Sequence, residues 1–355
     1  MKATTRATEA LRTLSGVILV IMGTIQLGCV SKQHSSDIDH PGLIASIETD
    51  HGTWKELAEQ GDPDAAYLMA LATSHEDGPC FDPDASVRWY EFAASQDHPA
   101  SCNNLAILHM NGQGVEQDRK KAIDLLERAC EQGHVEATGN LGVLLLIMSQ
   151  SGSENHERAI ELLETAAQLG DPKSHYVLGL LAFDYGEDDA CRSDSIDRFK
   201  IASELGYPPA DEFLGMMYRQ GHLVSKDPRK AFHYLSRAGS KGRLGAITAL
   251  GMMHLRGEGT WQDASKGARL LSAGAEAGLA LAQNNLGILY LQGRGVKKDR
   301  AQAVFWLEKA AEQGFAPAVE RLRNIGNSWE FDGSDRDFQE FTPIRLGSGT
   351  TDLLK

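Results

Sequence analysis

Small, apolar and glycine positions recur along this chain at a fixed interval. Aligned on Gly61, Asp97, Gly133, Gly170, Gly206, Gly242, Gly278 and Gly314, the sequence repeats every 36 residues, with one interval of 37 between Gly133 and Gly170. Four residues after each marker stands a small side chain: Ala65, Ser101, Ala137, Ser174, Ala210, Ala246 or Ala282. Eight after it stands Met69, Leu105, Leu141, Leu178, Leu214, Leu250 or Leu286, followed at once by Ala70, Ala106, Gly142, Gly179, Gly215, Gly251 or Gly287. Steps of four share one helical face, so this block predicts a helix, A, whose Gly or Ala admits a close neighbour. The middle of helix A is apolar nearly all round, as in Leu286-Gly287-Ile288-Leu289-Tyr290-Leu291, which suits an inner helix packed on both sides.

A turn follows, Gly112-Gln113-Gly114, Gly257-Glu258-Gly259 or Gly293-Arg294-Gly295, and then an aspartate: Asp118, Asp227, Asp263 or Asp299. These aspartates stand where they can cap a second helix, B, by accepting its free N–H groups. Helix B is amphipathic, as in Ala303-Val304-Phe305-Trp306-Leu307-Glu308-Lys309-Ala310-Ala311, and stops at the marker. The marker glycines therefore read as helix ends, with Asp97 the exception. Two turns depart from the pattern, Ser149–Asn155 and the acidic Tyr185–Arg192, and are expected to be irregular. Trp54–Gln60 resembles the end of a helix B, and Ala316–Asn324 opens a further helix A. That last helix has Arg323 where Gly or Ala belongs, with Arg321 beside it, the polar outer face a terminal repeat needs. Beyond Gly326 the period is lost; Trp329, Phe331, Phe338 and Phe341 are the residues by which the tail can anchor on the array.

The pattern A-x3-LG-x2-Y-x2-G-x-GV-x3-D-x2-(K)A-x2-(W)L-x2-AA-x2-G resembles the Sel1-like repeat, a relative of the tetratricopeptide repeat, across about residues 50–325. The resemblance implies an all-α, right-handed superhelical solenoid of about seven 36-residue helix-turn-helix repeats, here over residues 51–325. It also implies a protein-binding role, with a polypeptide held on the concave face. That face is expected to come from helix A, on the stripe three, seven, ten and fourteen residues after each marker. Its members are Asn104, Ile107 and Asn111; Asn140 and Val143; Phe213, Met216 and Gln220; Met252 and Arg256; and Asn285, Ile288 and Gln292. Asparagine can bond a bound chain's peptide groups, while Met and Ile give adaptable apolar contact. Equally, the asparagines can brace neighbouring helices.

Residues 1–28 read as an export signal: Lys2, Arg6 and Arg12 precede the uncharged stretch Leu14–Leu27, which is short for a membrane span. The Gly28-Cys29 that follows resembles a lipoprotein lipobox, although Gln26 stands where that pattern has Leu. Cys29 is then the lipidation site, residues 29–50 a flexible linker, and 326–355 an irregular tail. Val30 after Cys29 points to the periplasmic face of the outer membrane; an ordinary signal would leave the protein periplasmic. The remaining cysteines are Cys80, Cys102, Cys130 and Cys191. Cys102 early in helix A and Cys130 late in helix B of one repeat make a candidate disulfide, with two core thiols as the alternative.

A net charge of −14 and no basic stripe exclude nucleic acid as a partner. No motif for a catalytic nucleophile, phosphate loop or metalloprotease occurs, so no enzyme activity, cofactor or metal is expected. His109 and His254 occupy the slot of Tyr218 and Tyr290, where an imidazole fills an aromatic place in the packing. Asp184, Glu187, Asp188, Asp189 and Asp194 read as a solvated acidic turn before they read as a calcium site. Within the family, two other roles stand as alternatives to an envelope adaptor. One is a penicillin-binding or beta-lactamase-like hydrolase, against which the missing S-x-x-K and missing cysteine pair per repeat argue. The other is a secreted effector or signalling regulator.

Overall fold

A capping residue opens and a left-handed residue closes most of the helices in the computed structural model, which describes residues 51–75, 80–149, 153–185, 189–326 and Phe338. Among these residues there are sixteen helices and no strands. They are α1 (His51–Glu59), α2 (Pro63–Ser74), α3 (Pro83–Ser95), α4 (Pro99–Asn111), α5 (Arg119–Glu131), α6 (Val135–Met148), α7 (Glu154–Gln168) and α8 (Pro172–Tyr185). The rest are α9 (Asp189–Glu204), α10 (Pro208–Gln220), α11 (Pro228–Ser240), α12 (Leu244–Arg256), α13 (Ala264–Glu276), α14 (Ala280–Gln292), α15 (Arg300–Glu312) and α16 (Ala316–Gly326). Even-numbered helices are the A helices and odd-numbered ones the B helices. Seven A–B pairs thus lie between a lone B helix, α1, and a lone A helix, α16, giving the all-α repeat solenoid the periodicity predicts.

Local chemistry accounts for these boundaries. Asp118, Asp227, Asp263 and Asp299 each accept backbone N–H bonds in the first turn of the B helix that follows, as their spacing implied. Proline opens α2, α3, α4, α10 and α11, where its missing N–H leaves no bond unmade. At the markers the chain turns left-handed, as at Gly133 (φ 76°), and His134 N–H then reaches back to the Ala129 carbonyl at 3.1 Å. Asp97 adopts the same conformation without being glycine (φ 61°), and its carboxylate accepts from Arg128 Nε at 2.8 Å.

The described residues divide into two compact units, the division falling within α8 between Leu178 and Gly179. The first holds α1 to α7 and the start of α8. Its beginning is packed by Ala58, Ala65, Ala66, Met69 and Ala93, with Trp54, Leu57 and Trp89 over them. In the second unit one cluster runs from Met216 through Leu235 to Met253, and another from Met252 through Leu271 and Leu286 to Leu289. In both units the glycine nine residues after a marker lies directly against a leucine of helix B. A Cβ at Gly142 would lie 2.9 Å from Leu163, one at Gly215 2.6 Å from Leu235, and one at Gly287 2.8 Å from Leu307. Those leucines are fully buried, so glycine there is a packing requirement.

Two expectations need correction. The Tyr185–Arg192 segment is less irregular than expected, because α9 already begins at Asp189 and its residues up to Arg192 are helical. Arg321 faces inward: it is 9% exposed and donates to Asn284 Oδ1 at 3.1 Å. The outward cation of the last helix is Arg323 alone. Among the described residues no helix is long and apolar enough to cross a membrane. The signal, Cys29, the linker, and the tail apart from Phe338 lie outside the described residues.

Candidate polypeptide-binding site

Helix A supplies both the stacking surface and the part of the array left open, and the burial of its side chains separates the two. Ile107, Asn140, Val143, Phe213, Met216, Met252, Asn285 and Ile288 are buried, so the exposure expected for the inner part of the stripe is incorrect. The cause is that helix A is apolar nearly all round, and its positions seven and ten after the marker are covered on packing. Asn104, Asn111, Gln220, Arg256 and Gln292 stay partly open. Four of these stand fourteen after a marker, in the last turn of helix A.

The buried asparagines brace one repeat against the next. Asn140 Nδ2 donates to Asn103 Oδ1 of the preceding repeat at 2.8 Å, and Lys173 Nζ of the following one donates to Asn140 Oδ1 at 2.6 Å. Asn103 in turn donates to Asn104, which donates to the Tyr90 hydroxyl at 3.3 Å. Asn285 Nδ2 meets Met252 Sδ at 3.7 Å, Asn284 donates to Asn285 at 3.1 Å, and Arg321 completes that row. Buried amides paired in this way hold register, since removing one partner leaves the other desolvated and unbonded.

At the open end, Arg219 Nε donates to Glu258 Oε2 at 2.9 Å, and Arg256 lies 3.5 Å from the same carboxylate. The equivalent turn residue one repeat later, Arg294, donates to the Leu255 carbonyl. Its guanidinium also covers the ring of Phe338, 5.8 Å from the centroid. Phe338 is 5% exposed and belongs to the cluster of Met252, Leu255, Ile288 and Leu289. Of the four aromatic residues expected to anchor the tail, it alone is among the described residues. Arg294 was not singled out from the sequence as a site residue. Its signal there is a cation between two turn glycines, Gly293 and Gly295, with no acid in the same turn. Trp261, in the α12–α13 turn, is 91% exposed and likewise carries no pattern that marks it.

The remaining candidates resolve into structure. Cys102 and Cys130 are free thiols and form no disulfide with each other, because they face different neighbours. Cys102 Sγ points to the Ala94 carbonyl of α3 at 3.9 Å, whereas Cys130 is bonded with Thr138 of α6. Burial raises both thiols above their ordinary range. His109 Nδ1 lies 3.0 Å from the Glu116 carbonyl, closing its own turn, and His254 packs edge-on against Phe232. Burial lowers the His254 pKa, favouring the neutral ring. Among the described residues no three His, Cys, Asp or Glu side chains are grouped to hold a metal; the acidic turn falls largely outside them.

A family model for the Sel1 repeat matches residues 63–98, 99–134, 135–171, 208–242, 245–279 and 280–315, together more than half of the chain. This chain belongs to the Sel1 repeat family. The pair α8–α9 lies outside the matches, and it is the pair joined by the acidic turn Tyr185–Arg192. The chain is similar to the uncharacterized protein NMB1327 of Neisseria meningitidis serogroup B, 25% identical over 192 residues covering 54% of this chain and 39% of that protein. It also resembles the crystal structure of a Sel1 repeat protein from Oxalobacter formigenes, with 26% identity, a TM-score of 0.53 and coverage of 92% and 90% of the two chains. The protective antigen c5321 of uropathogenic Escherichia coli, which displays an SLR fold, matches at 24% identity and a TM-score of 0.57 over 81% of this chain and 62% of its own. That last likeness shows the fold alone. The chain therefore spans less than two thirds of NMB1327 and of the antigen. Sel1 repeat arrays are typically non-catalytic scaffolds for protein partners.

Proposed function

We propose that this Sel1 array is a polypeptide-binding adaptor of the bacterial cell envelope, exported by residues 1–28 and tethered through a lipid on Cys29. The binding surface is the row of helix-A ends rather than the buried middle of the stripe. One observation carries this: Gln220, Arg256 and Gln292 recur at intervals of 36 residues, each partly open, in the last turn of successive A helices. Among the described residues, Gln220 Nε2 and both polar atoms of the Gln292 amide are buried without a hydrogen-bond partner, so a ligand reaches them only if these side chains turn outward. A periodic row of amides and a guanidinium fits an extended chain, whose peptide groups also recur at a fixed rise.

The test is photo-crosslinking in intact cells with a reactive residue at position 292, compared with one at the exposed Glu308 on α15. A single protein adduct at 292, absent at 308, supports the adaptor role. No adduct at 292, or the same adducts at both positions, refutes it. Labelling with a palmitate analogue, retained by the wild type and lost in Cys29→Ser, tests the tether separately.

A further inference from the structure

The period of 36 brings three short segments of the second unit together, 225–230, 261–266 and 297–302, each the end of a turn and the start of a B helix. Each is fixed to its own helix A in the same way: Asp227, Asp263 and Asp299 donate their backbone N–H groups to the carbonyls of Tyr218, His254 and Tyr290 at 2.9, 2.8 and 3.0 Å. Neighbouring segments lie against one another. A Cβ at Gly259, two residues before Trp261, would meet Pro228 and Arg229, and one at Gly295, two before Lys297, would meet Ala264. On this edge seven cations stand against three acids, in a chain whose net charge is −14. Because the segments lie 36 residues apart, no basic stripe shows along the sequence. The acids are the three helix caps, already bonded to backbone N–H groups. Lys226, Arg229, Lys266, Lys297 and Lys298 are exposed, and among the described residues their side chains make no hydrogen bond or ion pair. Lys230 lies over the Tyr218 ring, 5.2 Å from its centroid, and Arg300 donates to the Ile325 carbonyl at 2.9 Å. On the middle segment stands Trp261, 91% exposed. The corresponding segment of the first unit, 80–85, carries two acids and no cation.

We propose that this edge rests on a bilayer surface rich in anionic phospholipid headgroups, with the Trp261 indole seated at headgroup level. Tryptophan favours that depth because its ring is apolar and its N–H polar. Lysine is a point charge on a flexible stem, so cations spread over three repeats with no fixed acceptor among them set no geometry for a peptide, whereas a headgroup layer requires none. Screening beyond about 8 Å keeps the acidic remainder of the chain from cancelling the attraction. Each cation that reaches the surface strengthens binding about fivefold. The edge fixes which way the array faces the membrane, whether or not Cys29 carries a lipid, and it does not depend on the helix-A ends holding a polypeptide.

The experiment uses the full chain, reconstituted on vesicles of phosphatidylcholine with or without about one third phosphatidylglycerol. It carries a photoreactive residue at the exposed Ser265 or, as control, at the exposed Glu308 on α15. Lipid adducts at position 265 are expected to form at least about tenfold faster on the anionic vesicles than on phosphatidylcholine alone, and to exceed those at 308 by a similar factor. Lys226→Gln, Lys297→Gln and Lys298→Gln together should lower the rate on anionic vesicles about 100-fold, at about fivefold for each cation. Trp261→Ala should lower it about fivefold, the gain from burying part of a large aromatic ring. In the wild type, salt at about 1 M should abolish the preference for anionic vesicles, a check that needs no variant. Equal rates at 265 and 308, equal rates on the two lipid compositions, or an unchanged rate in the triple variant overturns the proposal. So does a protein adduct at 265 in intact cells with no lipid adduct, which assigns the edge to an acidic polypeptide instead. The cross-link at position 292 and the lipid adduct at 265 are read separately, so failure of either leaves the other standing.

Discussion

Replacing Gly287 by alanine adds one methyl group where α14 lies against Leu307 and Ala303 of α15. That methyl carbon would stand 2.8 Å from Leu307 Cγ and 3.1 Å from both Leu307 Cδ2 and the Ala303 carbonyl oxygen. Leu307 is fully buried, so it can withdraw only by displacing its neighbours. In an unhindered helix the change from glycine to alanine stabilises by about 0.5–1 kcal/mol. Overpacking of a filled core destabilises by about 1–3 kcal/mol, so the net expectation is a loss of about 1–2 kcal/mol. A repeat array need not unfold in one step, so the readout is amide hydrogen exchange in α14 and α15, where about 1.4 kcal/mol corresponds to a tenfold loss of protection. Leu307→Ala alone should cost about 2–5 kcal/mol. Combining the two should cost at least about 1 kcal/mol less than their sum, because the new methyl occupies space the leucine vacated. If Gly287→Ala is as stable as the parent, or the pair is additive, close approach is not what requires glycine there.

Other consequences can be checked in parallel. Leu223 holds a left-handed conformation (φ 56°) in the turn where other repeats have glycine, so Leu223→Gly should stabilise by about 1 kcal/mol in thermal melts. Asn140→Leu removes the bonds that Asn103 Oδ1 and Lys173 Nζ make with the Asn140 amide, and is expected to lower stability by about 2 kcal/mol in urea titration. Burial depresses His254 below its ordinary value of 6.5, so from that pH downward the unfolded chain binds more protons than the folded one. Stability present above pH 6.5 is therefore lost as pH falls toward the folded value, and a His254→Tyr variant should show a flatter melting profile across that window. Under non-reducing conditions peptide mapping should find no Cys102–Cys130 cross-link, and iodoacetamide should label half-buried Cys130 before Cys102, which is fully buried.

The architecture was legible because each spacing has one physical cause. Ala and Leu four apart mark a packed face, the glycine after the leucine meets a leucine of helix B, and the aspartates cap. The site was less so. A helix that is apolar all round does not disclose which face its neighbours cover, and for that reason Val143, Met216 and Ile288 read as ligand contacts when they are core. Arg321 misleads in the same way: a terminal arginine reads as a solvated charge, yet Asn284 draws it inward to continue the amide row. No periodic signal marks Phe338, since the tail lies outside the repeat and its seat depends on a distant turn residue, Arg294.

The turn glycines carry a consequence for how such an array can change its length. A Cβ at Gly259 would lie 2.0 Å from the Pro228 carbonyl oxygen, and one at Gly295 2.1 Å from that of Ala264, in each case the first turn of the preceding repeat's B helix. At these two joints the turn of one repeat is the tenon and the start of the preceding repeat's B helix the mortise. An insertion inside a helix between them would put tenon and mortise out of register, whereas gain or loss of a whole 36-residue module leaves the joints matched. Arrays of this kind are therefore expected to evolve, and to be engineered, in whole repeats.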